Sequence, residues 1–231
     1  KLVTGVQTCA LPISDEDDAS LTKYIELKKN HNYPIKEGIS RKWLNDGDDE
    51  HGSSGINFKW PILSNPVFKD ALEKVKRGEE VNNICPIFTY SIKEGARYMW
   101  MGDLLTKMQE EYYSVCKNKI PKVDILFQPH HGRTTGAVPD DLLNAIDPQI
   151  IVIGNAPSKH IDYGDSRKTI TQNTAGDLTF INEDDYIHIY SQNKVDNLPD
   201  NLEKISDRLW GNVYEPTYYC GSLKVRNANR D

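Results

Sequence analysis

Two imidazoles stand side by side at His130 and His131, after Val123-Asp124-Ile125-Leu126-Phe127-Gln128-Pro129 and before Gly132. The apolar run reads as a strand, and the flanking proline and glycine put the histidines at its tip. Histidine offers a lone pair for a metal and a pKa suited to proton transfer. Adjacent side chains point apart, so one can ligate while the other orients it or a substrate. The plainer alternative is one core and one surface histidine. Asp103 ends a second apolar run, Met99-Trp100-Met101-Gly102, where its carboxylate can face a ligand, although Gly-Asp is also an ordinary turn. A third loop, Gly154-Asn155-Ala156-Pro157-Ser158-Lys159-His160-Ile161-Asp162-Tyr163-Gly164-Asp165, offers His160, Asp162 and Asp165 as ligands or acid–base groups. Arg133 and Lys159 supply local positive charge suited to a phosphate.

In open α/β sheets, sites gather at the carboxyl ends of strands. The elements that would set these three tips side by side can be read from apolar spacing. Residues 56–63 form a strand. Ser64-Asn65-Pro66 caps a helix with Val67, Phe68, Ala71, Leu72 and Val75 inward, stopped by Gly78. Residues 87–92 and 96–101 make a hairpin across Lys93-Glu94-Gly95, with Met99-Trp100-Met101 buried on both faces. Residues 104–117 are helical, with Leu104, Leu105, Met108, Tyr112 and Val115 inward. A strand at 123–127, a helix at 139–146 and a wholly apolar strand at 150–153 follow, the last as in a sheet covered on both sides. Strands at 178–181 and 186–190 flank the acidic turn Asn182-Glu183-Asp184-Asp185. Nearer the start, Ser20 caps a short helix over 21–29. Strands and helices alternate throughout, so the fold class is α/β.

Composition removes several functions. The chain has 231 residues, 38% of them hydrophobic and 27% charged, with a net charge of -6. No run approaches the ~18 apolar residues of a membrane helix, and the acidic balance argues against a broadly basic nucleic-acid surface. Cys9, Cys85, Cys116 and Cys220 form no C-x-x-C pair, which argues against a zinc finger or a thioredoxin-type site. Asp46, Asp48 and Glu50 alternate as in a calcium loop but lack its full twelve-residue pattern. No glycine-rich phosphate loop of either common type is present, which argues against a nucleotide-binding domain.

The order of Asn82-Asn83 before a strand, Gly102-Asp103, Pro129-His130-His131-Gly132, the 155–165 loop and Thr174-Ala175-Gly176-Asp177-Leu178-Thr179-Phe180 resembles the metallo-β-lactamase fold. More narrowly, it resembles the competence DNA-uptake (ComEC-type) branch, over residues 55–190. The resemblance implies a four-layer αββα sandwich with a site for one or two divalent metal ions, expected to be zinc, at the strand ends. It implies a metal-dependent hydrolase acting on a phosphodiester or a similar anionic substrate, with nucleic acid or a nucleotide among the candidates. Asp103 matches the family's metal-ligating or bridging aspartate. His130 and His131 match the paired histidines, with the division between ligand and catalytic group left open. Asn83 matches a recurrent asparagine, placed with Arg133, Lys159 and His160 on the substrate side. Asp165 stands where relatives often carry histidine, as a further candidate ligand.

The family's main motif, H-x-H-x-D-H, is absent: the six histidines are His31, His51, His130, His131, His160 and His188. Residues 3–13 resemble the in-frame translation of a sequencing adapter, which implies a gene fragment read from environmental DNA. The expectation is therefore an artefactual leader over 1–14, the C-terminal part of the hydrolase domain over 15–195 and an extension over 196–231. Such a chain is inactive alone and self-associates through uncovered apolar surface. A cytoplasmic location fits the unpaired cysteines. The alternative is a non-catalytic binding module of the same fold.

Overall fold

The computed structural model describes residues 23, 26, 34–39, 54–92, 95–161, 168–183, 185–204 and 218–226. The leader over 1–14, most of the helix at 21–29 and the calcium-like alternation lie outside the described residues. So do Asp162 and Asp165.

The fold is α/β. Strands β1 (Ile56–Trp60), β2 (Ile87–Ser91), β3 (Arg97–Trp100), β4 (Ile125–Phe127), β5 (Ile150–Ile153) and β6 (Thr169–Thr171) lie in that order in one sheet. The first two pairings are antiparallel, and β3 through β6 run parallel. A second, antiparallel sheet holds β7 (Leu178–Glu183), β8 (Tyr186–Ser191) and β9 (Tyr218–Lys224).

Alternation along the strands divides the core into two slabs. Met99, Leu126 and Ile87 face helices α1 (Pro66–Lys76), α2 (Thr106–Cys116) and α3 (Asp140–Ile146), packing on Phe68, Ala71, Met108, Tyr112, Leu142 and Ile146. Tyr98, Ile125, Val152 and Ile170 face the small sheet, meeting Ile187, Ile189, Cys220 and Leu223. The described layers are thus helices, large sheet and small sheet. A fourth, helical layer over the small sheet is not among the described residues.

Local chemistry explains the helix boundaries. Asn65 caps α1, its Oδ1 accepting from Phe68 N at 2.8 Å, and Pro66 occupies the first turn, where no backbone donor is needed. Two expectations about packing need correction. Val115 is 47% exposed, because the buried stripe of α2 runs through Met108, Gln109, Tyr112 and Cys116 instead. Trp100 is only half-buried, although Met99 and Met101 are fully covered.

Strands β6 and β9 are findings of the structure. The three-residue β6 (Thr-Ile-Thr) is too short for a periodic signal. The residues of β9 belong to the stretch set apart as an extension after 195, yet they pair with β8 and bury Cys220 and Leu223. Cys85, Cys116 and Cys220 are buried and form no disulfide. No helix among the described residues is long and apolar enough to cross a membrane.

One buried carboxylate joins the two sheets at the edge opposite the strand tips. Asp124 is fully buried and accepts from Arg97 N (2.8 Å), Gln149 Nε2 (2.8 Å) and Arg226 N (3.1 Å), the last just beyond β9. Removing the acceptor leaves three part-buried donors unpaired, against about 1–3 kcal/mol for each such group when fully buried. Asp124→Ala is expected to lower unfolding free energy by about 3 kcal/mol in urea, shifting the midpoint at unchanged slope. A loss below about 1 kcal/mol would contradict this role.

Candidate active site at the strand tips

The register of the parallel strands sets the site. Trp100 of β3 pairs with Phe127 of β4, and Phe127 with Val152 of β5. Three residues beyond Trp100 the chain reaches Asp103, and three beyond Phe127 it reaches His130. Phe88, Trp100 and Phe127 stack across β2, β3 and β4, with centroids 5.3 and 4.5 Å apart and planes within 11° and 9°. Such cross-strand aromatic pairs hold neighbouring strands in register. A backbone bond from His130 N to Gly102 O, 2.9 Å long, then ties the two tips together.

The histidine turn is conformationally unusual. His130 (φ 50°), His131 (φ 55°) and Gly132 (φ 72°) are all left-handed in succession. For residues with a Cβ this costs roughly 1–2 kcal/mol each, and left-handed residues ordinarily occur singly. Strain of this kind persists only where the surroundings enforce it, and it concentrates at functional sites. Small residues make the enforcement possible. A Cβ on Gly136 would lie 2.4 Å from His130 Cβ, one on Gly132 would lie 2.7 Å from Ile153 Cγ2, and one on Gly154 would lie 3.0 Å from His131 Nδ1.

The turn sends the two imidazoles to different partners. His131 Nε2 lies 3.5 Å from Asp103 Oδ1, the side chains being 23% and 17% exposed. His130 Nδ1 lies 2.9 Å from Thr135 Oγ1, and its Nε2 makes a long 3.5 Å contact with Asn82 Nδ2. With the Asn82 amide donating to Nε2, the ring proton sits on Nδ1 and is donated to Thr135.

The remaining predicted site residues are placed less centrally. Asn83 is buried and donates to Glu80 Oε2 at 2.9 Å; its neighbour Asn82 is the one that reaches His130. Arg133 bridges Ile161 through its backbone, joining the histidine turn to the loop that carries the exposed Lys159 and His160. The buried Arg133 Nε has no hydrogen-bond partner among the described residues. Asn173 pins the start of that loop, its Nδ2 donating to Ala156 O at 2.6 Å. Thr135 and Asn82 drew no separate attention in sequence; a hydroxyl five residues from a histidine has no distinctive signature.

The pair Asp103–His131 fits half of a zinc site. Two ligands about 2.1 Å from a tetrahedral ion stand about 3.4 Å apart, close to the observed 3.5 Å. Among the described residues no group of three or more His, Cys, Asp or Glu side chains converges, so the pair does not complete a coordination sphere with them.

Burial lowers the His130 pKa from its ordinary value of 6.5; Asp103 opposes the shift, while Arg133 and His131 add to it. Between the lowered value and 6.5 the unfolded chain binds more protons than the folded one. Stability from this group is therefore complete above pH 6.5 and lost as pH falls through the folded value. A ring NMR titration is expected to give His130 a midpoint below 6.5, and a midpoint at or above it would contradict the placement. In comparisons with family models, curated proteins and solved structures, the chain shows no match.

Proposed function

We propose that this chain is part of a metal-dependent hydrolase of the metallo-β-lactamase fold, in the competence DNA-uptake branch, acting on a phosphodiester or similar anion. The observation that carries the reading is the meeting of Asp103 and His131 from neighbouring strand tips at 3.5 Å. The layering of helices on a mixed sheet on a second sheet is compatible with three of the four layers of that fold.

In this reading Asp103 and His131 are metal ligands, and further ligands come from outside the described residues; Asp165 is a candidate. The bound metal, zinc in the first instance and one or two ions in number, would supply an activated hydroxide near neutral pH. The chain's own residues do the rest. His130, neutral and protonated on Nδ1, keeps Nε2 as an acceptor, met here only by the long contact from Asn82, so it acts first as an acceptor or base and not as a proton donor to a leaving group. Arg133, with an unspent buried Nε donor, meets an anionic substrate, and Lys159 and His160 add positive and polar groups on the adjoining loop. A cytoplasmic location belongs to the same proposal.

One observation favours a second reading, a non-catalytic binding module of the same fold: the Asp103–His131 pair gains no third ligand-type side chain among the described residues.

Zinc titration by calorimetry separates the assignments. Asp103→Ala and His131→Ala are each expected to weaken zinc binding at least tenfold, whereas His130→Ala changes it by less, as for a residue beyond the ligands. Equal zinc affinity in the wild type and in both ligand variants would overturn the metal site. Zinc-dependent hydrolysis of bis(p-nitrophenyl) phosphate would exclude the binding module.

A further inference from the structure

Helix α2 begins just after Asp103, and its first turns reach the segment that follows the histidines. Gln109 is fully buried on the α2 stripe otherwise formed by Met108, Tyr112 and Cys116. Its Nε2 donates to Leu104 O at 2.8 Å and to Gly136 O at 3.0 Å. One turn earlier, Thr106 Oγ1 lies 2.8 Å from Ala137 O and 3.2 Å from Thr135 O. Two side chains of one helix thus hold three successive carbonyls of the 135–137 turn. That turn carries the Thr135 hydroxyl against His130 Nδ1 and the Gly136 backbone against the His130 Cβ.

The amide is only partly satisfied at this position. Gln109 Oε1 is buried with no partner among the described residues, and such an atom opposes folding. An unbranched apolar side chain would remove that penalty but leave the Leu104 and Gly136 carbonyls without the Nε2 donor. What the amide adds is its pair of donors, one to the residue after Asp103 and one to the turn behind His130.

We infer that Gln109, assisted by Thr106, is a positioning residue that fixes the histidine turn against the Asp103 loop. It holds the Thr135 hydroxyl against His130 Nδ1, which supports the tautomer that the Asn82 contact favours, and, through the shared turn, sets the approach of His131 to Asp103. The inference rests on the hydrolase reading for its purpose, but the geometry it predicts can be measured without turnover or metal.

The experiment is long-range nitrogen–proton NMR of the histidine rings in the full chain at pH 7.5, comparing wild type with Gln109→Met and Thr106→Val. Wild type is expected to show His130 as one neutral tautomer with the proton on Nδ1. In folded Gln109→Met, the His130 signals are expected to move toward a mixture of tautomers and the His131 signals to shift, while rings remote from the site, such as His188, stay put. Thr106→Val is expected to move the His130 signals in the same direction. Unchanged His130 and His131 signals in folded Gln109→Met would overturn the proposal. If that variant fails to fold, Thr106→Val decides by the same criterion. Unfolding of both would make the pair general fold supports and would equally overturn it. Failure of the hydrolase reading appears elsewhere, as unchanged zinc affinity in the ligand variants, and leaves these spectra as they are.

Discussion

The parallel register between β3 and β4 is the constraint on which the candidate site depends. Side chains on adjacent strands can meet only if the strands end level, and a slip of one residue would turn each tip to the opposite face. Here the pairing of Trp100 with Phe127 is reinforced by a stack that continues to Phe88 on β2. Asp103 and His130 follow at equal distance from this rung. The stack does not touch the chemistry. It determines that a carboxylate and an imidazole from separate segments share one edge of the sheet.

Level tips alone would leave His130 and His131 as two ordinary adjacent side chains. The left-handed turn separates their tasks: His131 goes to Asp103, and His130 goes to Thr135 and Asn82. Its conformational cost, roughly 1–2 kcal/mol per residue, is offset by packing that only glycine at 132, 136 and 154 permits and by the His130 N to Gly102 O bond. The pair is thereby split into an imidazole beside a carboxylate and one beside a hydroxyl and an amide. Burial and the Arg133 guanidinium both favour the neutral form of His130, against the pull of Asp103.

Much of the frame was legible in the sequence because it rests on short-range rules. The asparagine–proline start of α1, the wholly apolar β5 and the strand before the histidines each carry a local signature, and each is present, the last over Ile125–Phe127 and so two residues shorter than the expected 123–127. Asp103 and the histidine pair stood out because polar residues ended apolar runs. Other features depended on distant partners and left little trace. Strand β6 has three residues, and β9 is a strand only because β8 offers an edge beyond a long intervening segment. The choice between Asn82 and Asn83 turns on which face of a short 3-10 turn meets His130. Gln109 has no signature of its own in the sequence, since its place depends on the carbonyls of Leu104 and Gly136.

The most direct measurement of the central claim, that Asp103 and His131 interact across the strand tips, is a double-mutant cycle on unfolding free energy. The cycle uses Asp103→Ala, His131→Ala and the double variant in urea. Contact at 3.5 Å predicts a coupling of about 0.5–1 kcal/mol or more in favour of the pair. Additivity of the two substitutions to within about 0.3 kcal/mol would mean that the side chains do not meet, and would contradict the account.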